Sequence, residues 1–234
     1  MSNPSRATSN RLLSRLSTAD SALLEPYLKR VALPLRKQID AAGRPIKYNY
    51  FIESGFASVV TNGNHRNRIE VGIVGREGMT GVAVVLASDR SPHETFMQNA
   101  GEGSRIPTAD LRRAVQQSDT LRDSLLRYVH AFMIQAAYTA ASYGRSRLEE
   151  RLARWLLMAH DRLDTSELTI THEFLSIMLS ARRPSVTEAL NLLEKRGHIE
   201  IHRGSIAIVD RNSLIRATNG AYGAPEAEFN RLFG

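Results

Sequence analysis

The feature that most restricts the fold is the stretch 108–143, which contains neither proline nor glycine. Both residues disfavour the helix interior, so a stretch without them, opening on Thr108 as a helix cap, predicts a segment that is largely helical. One face of this helix repeats in alternating steps of four and three residues, and its members are Leu121, Leu125, Tyr128, Phe132, Gln135 and Thr139. Such spacing is typical of a helix that packs lengthwise on another element.

Two partners for this face are compatible with the spacing. The helix packs either on its own chain or along a second subunit. Further apolar positions at Val129, Ala136 and Tyr143 widen the face, and so long a helix has more surface to bury than one small domain covers. We therefore predict that the six residues form the seam of a homodimer.

The region before this helix has the sequence pattern of short β-strands. From Val31 to Pro107, β-branched and aromatic runs alternate with glycine and asparagine turns. Asn62-Gly63 is a strong hairpin signal because both residues tolerate positive φ. This pattern predicts a small β-barrel or jelly roll. Ahead of it, leucines at helical spacing predict two short helices within residues 11–30, with an N-cap at Asp20 or Ser21.

Composition narrows the functional classes. The chain has 234 residues, 42% hydrophobic and 24% charged, as is ordinary for a globular protein, and no cysteine. Disulfides, cysteine-ligated clusters and thiol nucleophiles are therefore excluded. We find no apolar run that would span a membrane or serve as a signal peptide, so we expect a cytoplasmic protein. The net charge of +7 favours a polyanionic partner, but most of the surplus precedes residue 144 and does not locate its site.

Beyond Gly144, where we expect the helix to break and a domain to begin, the segment 145–163 is again helical. Its apolar face contains Leu148, Leu152, Trp155, Leu156 and Ala159. The single tryptophan among these leucines is interpreted as a core residue rather than part of a ligand site.

Residues 171–196 have the layout of a helix-turn-helix. Thr171 caps a short helix, 172–179, and residues 180–182 form a tight connection. The second helix has Pro184 in its first turn and ends at Gly197, a residue suited to the position after a helix. Two strands, 198–202 and 205–209, turn at Arg203-Gly204 and resemble a wing.

In a helix-turn-helix the second helix enters the major groove and its N-terminal residues meet the base edges. The candidates at that position are Arg182, Arg183, Ser185, Thr187 and Glu188, and at the tip of the wing Arg203. Arginine binds guanine or phosphate, glutamate accepts from cytosine, and Ser or Thr serves either role. These residues predict double-stranded DNA as the partner.

From Leu12 to Leu214 the chain resembles the Crp/Fnr family of bacterial transcription regulators. The resemblance rests on YFIESGFASVV and VGIVGREGMTG in the first half, on RLEERLARWLL, and on LSARRPSVTEALNLLEKRGHIEIHRGSIAIVDR. It implies an α+β fold and RNA polymerase as a further partner. The implied organisation is a cyclic-nucleotide-binding-like domain (11–120), a dimerisation helix (121–143), a winged helix-turn-helix (144–219) and a C-terminal tail (220–234).

The sequence departs from the cyclic-AMP-binding members of that family. Those members have a Gly-Glu-Leu element and, farther on, an Arg-Ser or Arg-Thr pair that hold the ribose and the cyclic phosphate. Here the first reads Gly81-Val82-Ala83-Val84 and the second falls on Pro92-His93, with Arg90 as the nearest arginine. We therefore expect no binding of cyclic AMP, and leave an unidentified small-molecule effector as an open alternative.

Other chemistries find no support in the sequence. The histidines at 65, 93, 130 and 172 do not have a metal-site spacing, and no catalytic motif is present. We expect neither an enzyme nor a cofactor. The alternative to a DNA reader is a ligand-sensing or protein-interaction module whose helix-turn-helix no longer binds DNA, which the adjacent Arg182 and Arg183 argue against.

Overall fold

The computed structural model describes residues 8–61 and 68–234, so Asn62-Gly63 and His65 lie outside the described residues. The fold is α+β, as predicted. The strands are β1 (Lys29–Leu33), β2 (Gln38–Asp40), β3 (Tyr48–Ile52), β4 (Phe56–Thr61), β5 (Glu70–Val74), β6 (His93–Asn99), β7 (Gly101–Pro107), β8 (Glu167–Thr169), β9 (Ile199–His202) and β10 (Ser205–Ile208). The helices are α1 (Thr18–Leu24), α2 (Thr108–Gln117), α3 (Asp119–Arg145), α4 (Leu148–His160), α5 (His172–Met178), α6 (Arg183–Lys195), α7 (Arg211–Ala217) and α8 (Ala224–Phe233).

The N-terminal strands form two sheets with the orders β1-β7-β3 and β2-β6-β4-β5. In the first sheet β7 pairs antiparallel with both neighbours, so that Arg105 faces Lys29 on one side and Tyr50 on the other. The aromatic and β-branched residues that predicted these strands include fully buried members such as Phe51, Ile52 and Ile106. The strand pattern of residues 31–107 is therefore confirmed.

The start of the chain differs from its prediction. Only α1 is a regular helix there, flanked by 3-10 turns at Leu13–Arg15 and Glu25–Tyr27. Its cap is Ser17, whose Oγ accepts from the backbone N–H of Asp20 at 3.0 Å, so a cap at Asp20 or Ser21 is wrong. The Asp20 side chain is buried and accepts hydrogen bonds from Ser118 and Thr120 instead.

The long helical stretch is divided at Ser118. This residue is extended, with φ −138° and ψ 115°, and its Oγ accepts from the backbone N–H of Leu121 at 3.2 Å. Thr108 is the first helical residue rather than the cap, and its hydroxyl donates to Asn49 Oδ1 at 3.1 Å. A serine that bonds to the backbone can thus restart a helix without proline or glycine.

The break expected at Gly144 lies slightly later. Helix α3 runs through Gly144 to Arg145, and the backbone N–H of Ser146 donates a hydrogen bond to the Ser142 carbonyl at 2.9 Å. The chain becomes extended at Arg147, immediately before α4. A single exposed glycine weakens a helix by only about 1 kcal/mol, which does not end it.

The face of α3 predicted as a dimer seam is buried within the chain itself. Leu121 and Leu125 are fully buried, Tyr128, Gln135 and Thr139 are nearly so, and Phe132 is half-buried. Tyr128 Oη donates to the Met79 carbonyl at 3.0 Å, and Gln135 Oε1 accepts from the Ile73 N–H at 2.7 Å. Five of these six side chains are therefore packed within their own chain, so the assignment of the whole face to a second subunit must be corrected.

The opposite face of α3 is exposed. Its members lie at alternating steps of four and three residues, and they are Leu126, His130, Met133, Ala137, Ala140 and Gly144. We call this face the outer stripe of α3. The sequence of α3 contains two faces with this periodicity. Spacing alone does not show which of them packs against the rest of the chain.

The described residues form two compact units. One lies within Met1–Ala57, Val74–Ser91 and Thr95–Val129, and the other within Ser58–Ile73, Pro92–Glu94 and His130–Gly234. The segment expected to be a C-terminal tail contains α8, whose Pro225 and Phe233 are buried. Within the described ranges, none of the helices has the length and apolar character needed to cross a bilayer.

Candidate nucleic-acid interface

Helix α5 begins as the sequence predicts. Thr171 is its cap, with the Oγ accepting from the backbone N–H of Phe174 at 3.2 Å. Leu175, Met178 and Leu179 are buried and form the inner face of the helix. Phe174, one position before Leu175, is half-buried.

The connection to α6 is tight because Ser180 adopts a left-handed conformation with φ +47°. Arg182 is the N-terminal flanking residue of α6, and Pro184 lies in its first turn, where a missing N–H breaks no helical bond. Val186, Leu190 and Leu193 are fully buried. Gly197, at φ +73°, follows the end of the helix. The predicted helix pair is thus present from its first cap to its last residue.

The N-terminal end of α6 presents cations to solvent. Arg182, Arg183 and Glu188 are exposed. Across residues 8–61 and 68–234, neither guanidinium of this pair forms a side-chain hydrogen bond or an ion pair. Two arginines with all their donors free at a helix start can bind phosphate or base edges without first breaking a protein contact.

The two hydroxyl residues of the predicted set are less available. Ser185 and Thr187 are half-buried. Thr187 Oγ1 donates to the Arg183 carbonyl at 3.1 Å and lies 3.0 Å from His172 Nδ1 on α5. Thr187 therefore helps to join the two helices.

The wing is a small three-stranded sheet of order β8-β10-β9. Strands β9 and β10 are antiparallel, with Ser205 opposite His202, and Gly204 at φ +86° makes the turn between them. This geometry places the exposed Arg203 at the tip, as predicted. The third strand, β8, was not predicted because only three residues pair with β10.

Two further exposed residues of α6 were not among the predicted DNA-contact residues. Asn191 and Lys195 are exposed and follow Glu188 by three and seven positions, so the three residues share one helix face. That spacing was readable in the sequence. The adjacent Glu194 has another role, since its Oε1 accepts from the Ile201 N–H of the wing at 2.8 Å.

Helix α4 anchors this part of the chain. Leu152, Trp155 and Leu156 are buried, which confirms the core prediction for the tryptophan. Trp155 Nε1 donates to Glu70 Oε1 at 2.7 Å, and Ser58 Oγ donates to Glu70 Oε2 at 2.5 Å. A buried carboxylate of the β4–β5 region is therefore bound directly to α4.

The segment that corresponds to the cyclic-nucleotide-binding element is closely filled. Asn49 Nδ2 donates to the carbonyls of Thr80 and Gly81, at 3.1 and 3.0 Å. Gly81 has φ +71°, and a Cβ there would lie 2.4 Å from that amide nitrogen. The segment then forms a 3-10 turn, Val82–Val84. Arg90 is exposed and bound to Asp89.

Among the described residues, no group of three or more metal-ligating side chains is brought together. His130 lies 3.6 Å from Glu228 and His172 contacts Thr187, so each belongs to a different surface.

Comparison with known proteins identifies the domain that contains these residues. Residues 150–217 match the Crp-like helix-turn-helix domain family. No curated protein sequence matches the chain closely enough to count as a relative.

Solved structures are similar along most of the chain. A Crp/Fnr-family regulator from Eubacterium rectale has a TM-score of 0.71 at 18% identity, covering 89% of this chain and 98% of its own. FixK2 from Bradyrhizobium japonicum has 0.70 at 15%, covering 81% and 96%. A Crp-family regulator from Thermus thermophilus has 0.67 at 21%, covering 84% and 99%. At such identities the likeness establishes the fold.

The fold and the site define a winged helix-turn-helix protein with a cyclic-nucleotide-binding-like N-terminal domain. Residues 150–217 belong to the Crp-like helix-turn-helix domain family, and the fold of the chain is that of the solved Crp/Fnr regulators.

Proposed function

We propose that the protein binds a pseudo-palindromic DNA site as a homodimer, with α6 reading bases in the major groove and an effector domain that does not bind cyclic AMP. The observation that carries the proposal is the pair of exposed, unengaged guanidiniums of Arg182 and Arg183 at the start of α6. This pair has both the position and the chemistry to bind base edges and phosphates in the major groove.

The side chains of the interface then have different roles in DNA binding. Arg183 and Glu188 contact base edges, where arginine binds guanine and glutamate accepts from cytosine. Arg182 and Arg203 bind phosphates on either side of the groove. Ser185 and Thr187 are retained as candidates at the rim of this contact, and we add Asn191 and Lys195 from the same face of α6.

We place the dimer contact on the outer stripe of α3 instead of the buried face. Leu126 and Met133 are 38% and 60% exposed and lie on the same face of one helix, so together they form an exposed apolar surface. Beyond them the stripe consists of Ala137, Ala140 and Gly144. Small residues allow two helices to approach closely, so a second copy of α3 fits this face on either side of His130, whose imidazole lies 3.6 Å from Glu228 of α8.

The proposal that cyclic AMP does not bind rests on residues 81–84 and on Arg90. Val82 stands where the resemblance places the ribose-binding glutamate, and Asn49 fills the space beside Gly81. Arg90, the arginine nearest to the phosphate position, is exposed and engaged by Asp89. Among the described residues, Arg90 thus offers no free cation to a cyclic phosphate at this place.

RNA polymerase is the protein partner that we propose for the DNA-bound dimer. The test is retention of polymerase on a promoter fragment that carries the selected site, compared with a fragment in which one half-site is scrambled. Equal retention on both fragments contradicts the partnership.

The function is tested by selecting binding sites from random duplexes with the full chain. We expect two inverted half-sites whose centres are about 10–10.5 base pairs apart, and an affinity that falls steeply with salt as phosphate counterions are released. Selection of a single half-site contradicts dimeric binding. The absence of any salt-dependent duplex binding contradicts DNA reading and favours an interaction module.

A further inference from the structure

A small pocket of the first unit is not used by any of the roles above. It lies between helix α2 and the 3-10 turn Val82–Val84 with the residues that follow it, and its volume is about 260 Å³. Its walls are mainly apolar, formed by Val84, Val85, Leu111 and Val115, with Ala87 beside them. Two polar residues of α2, Arg112 and Gln116, complete the lining.

The charge of the pocket comes from Arg112, which is half-buried. Within the two described ranges its guanidinium has no hydrogen bond or ion pair. The neighbouring Arg113, by contrast, is paired with Asp110 and lies over the ring of Tyr27. The carboxylate of Asp89 accepts two hydrogen bonds from Arg90, of 2.9 and 3.2 Å, and these bonds, more than the charge of Arg112, hold its pKa below the usual value. Arg112 is therefore a cation with free donors on the wall of an apolar pocket.

The volume restricts what the pocket can hold. It is below the roughly 300–1,000 Å³ of pockets for drug-sized ligands, so it suits a molecule with a single ring or a short branched chain. A nucleotide is too large for this space, and its phosphates call for more than one cation. Among small anions, a carboxylate matches the planar donors of one guanidinium.

We propose that this pocket binds a small carboxylic acid with a compact apolar body, its carboxylate on Arg112 and its body against Val84, Leu111 and Val115. Gln116 offers an amide donor to the second oxygen. Val84 and Leu111, which line the pocket, are almost or entirely removed from solvent, so an apolar body placed beside them gains by leaving water.

The position of the pocket gives it a regulatory role, and this part rests on the proposed DNA-binding function. A ligand that bridges the Val82–Val84 turn and α2 would restrain α2. That helix leads through Ser118 directly into α3, which carries the outer stripe. Occupancy would thus change how α3 is presented to a second copy, and through it the affinity for a two-half-site DNA.

Binding is tested on the full chain by calorimetry and thermal melting with benzoate and 3-methylbutanoate, and with neutral benzamide as a matched ligand. We expect both acids to raise the melting temperature and benzamide to bind at least about tenfold more weakly. Arg112→Gln should weaken benzoate binding by about tenfold or more, while Arg113→Gln leaves it unchanged. Equal binding of benzamide, an unaffected Arg112→Gln variant, or no binding of either acid at millimolar concentration overturns the site.

The regulatory role has a separate readout, the affinity for the selected duplex with and without benzoate. We expect a change of about threefold or more in the wild type that disappears in Arg112→Gln. Binding of benzoate without any change in duplex affinity overturns the regulatory role. If the chain binds no duplex, the proposed DNA function fails, while the calorimetric result still decides the pocket.

Discussion

The indole of Trp155 donates to the carboxyl of Glu70, with 2.7 Å between Nε1 and Oε1, and so joins α4 to strand β5. Both side chains are almost entirely buried. The second carboxyl oxygen accepts from Ser58 Oγ at 2.5 Å. Burial raises the pKa of Glu70 to about 7, although these hydrogen bonds and the charges of Arg154 and Arg162 act in the opposite direction.

The raised pKa makes stability depend on pH in a defined direction. The folded chain holds the Glu70 proton more tightly than the unfolded chain, whose value is near 4.5. The resulting stabilisation is complete below pH 4.5 and is lost as the pH rises through about 7. Glu70→Gln keeps an acceptor for Trp155 and turns an amide N–H toward Ser58 Oγ, which then accepts instead of donating, but the amide cannot ionise. In the wild type, ionisation of Glu70 should lower the free energy of unfolding by on the order of 3 kcal/mol between pH 4.5 and 8, and we expect this decrease to be absent from Glu70→Gln.

The measurement is urea unfolding of the wild type and Glu70→Gln at several pH values. Other groups titrate in both proteins, so only the difference between their curves reports on Glu70. Glu173→Gln, at an exposed site on α5, is the control and should parallel the wild type. Parallel curves for Glu70→Gln would show that the buried carboxyl titrates as it does in the unfolded chain.

The contact between Glu70 and Trp155 marks the limit of prediction from sequence. Tryptophan was correctly placed in the core because its leucine neighbours lie at helical spacing. Its hydrogen-bond partner lies far away along the chain, and no local pattern encodes such a pair. The helix-turn-helix, by contrast, was predicted almost completely, since caps, first-turn proline and terminal glycine are all local signals.

Two errors have the same physical origin. The face of Leu125 was assigned to a partner because periodicity identifies an apolar face but not what covers it. Thr108 was assigned as a cap because its hydroxyl suits that position, yet the hydroxyl is bound to Asn49 on β3. In both cases a tertiary contact decides between two arrangements that are locally equivalent.

The two arginines of the interface should differ in what they control. We expect Arg183→Ala to lower affinity for the selected site by roughly 1–3 kcal/mol and to relax its sequence preference, because Arg183 is placed at base edges. Arg203→Ala, at the wing tip, should weaken all duplexes about equally and reduce the salt slope by about one. Anisotropy titrations on selected and random duplexes over a salt series measure both. Identical effects of the two changes on every duplex would contradict this division.

Cyclic AMP should not bind. At millimolar concentration we expect neither measurable heat nor a thermal shift, because Asn49 occupies the space beside Gly81 and Val82 offers no carboxylate to the ribose. Asn49→Ala is the informative companion, since it opens that space without restoring the glutamate, and it should also fail to bind. A dissociation constant in the micromolar range for the wild type would contradict the reading of this segment.

The last prediction concerns the outer stripe of α3. One recognition helix contacts only a few base pairs. That is too few to select one site among the roughly 10⁶ or more competing sites in a genome, so a second recognition helix is needed. Two-fold pairing along the outer stripe would provide it and would place two copies of α6 in successive major grooves, roughly 34 Å apart.

Leu126→Glu combined with Met133→Glu should separate the subunits without unfolding them. Both positions are exposed in the single chain, at 38% and 60%, so the charges are tolerated there. In a dimer the same change would bury four carboxylates without partners, and their desolvation would exceed what the contact stabilises. We expect a folded monomer by light scattering and circular dichroism, with near-nonspecific DNA affinity. Leu125→Glu, at a fully buried position, is the control and should lower the melting temperature instead. A double variant that remains dimeric with unchanged site affinity would show that the subunits pair through another surface.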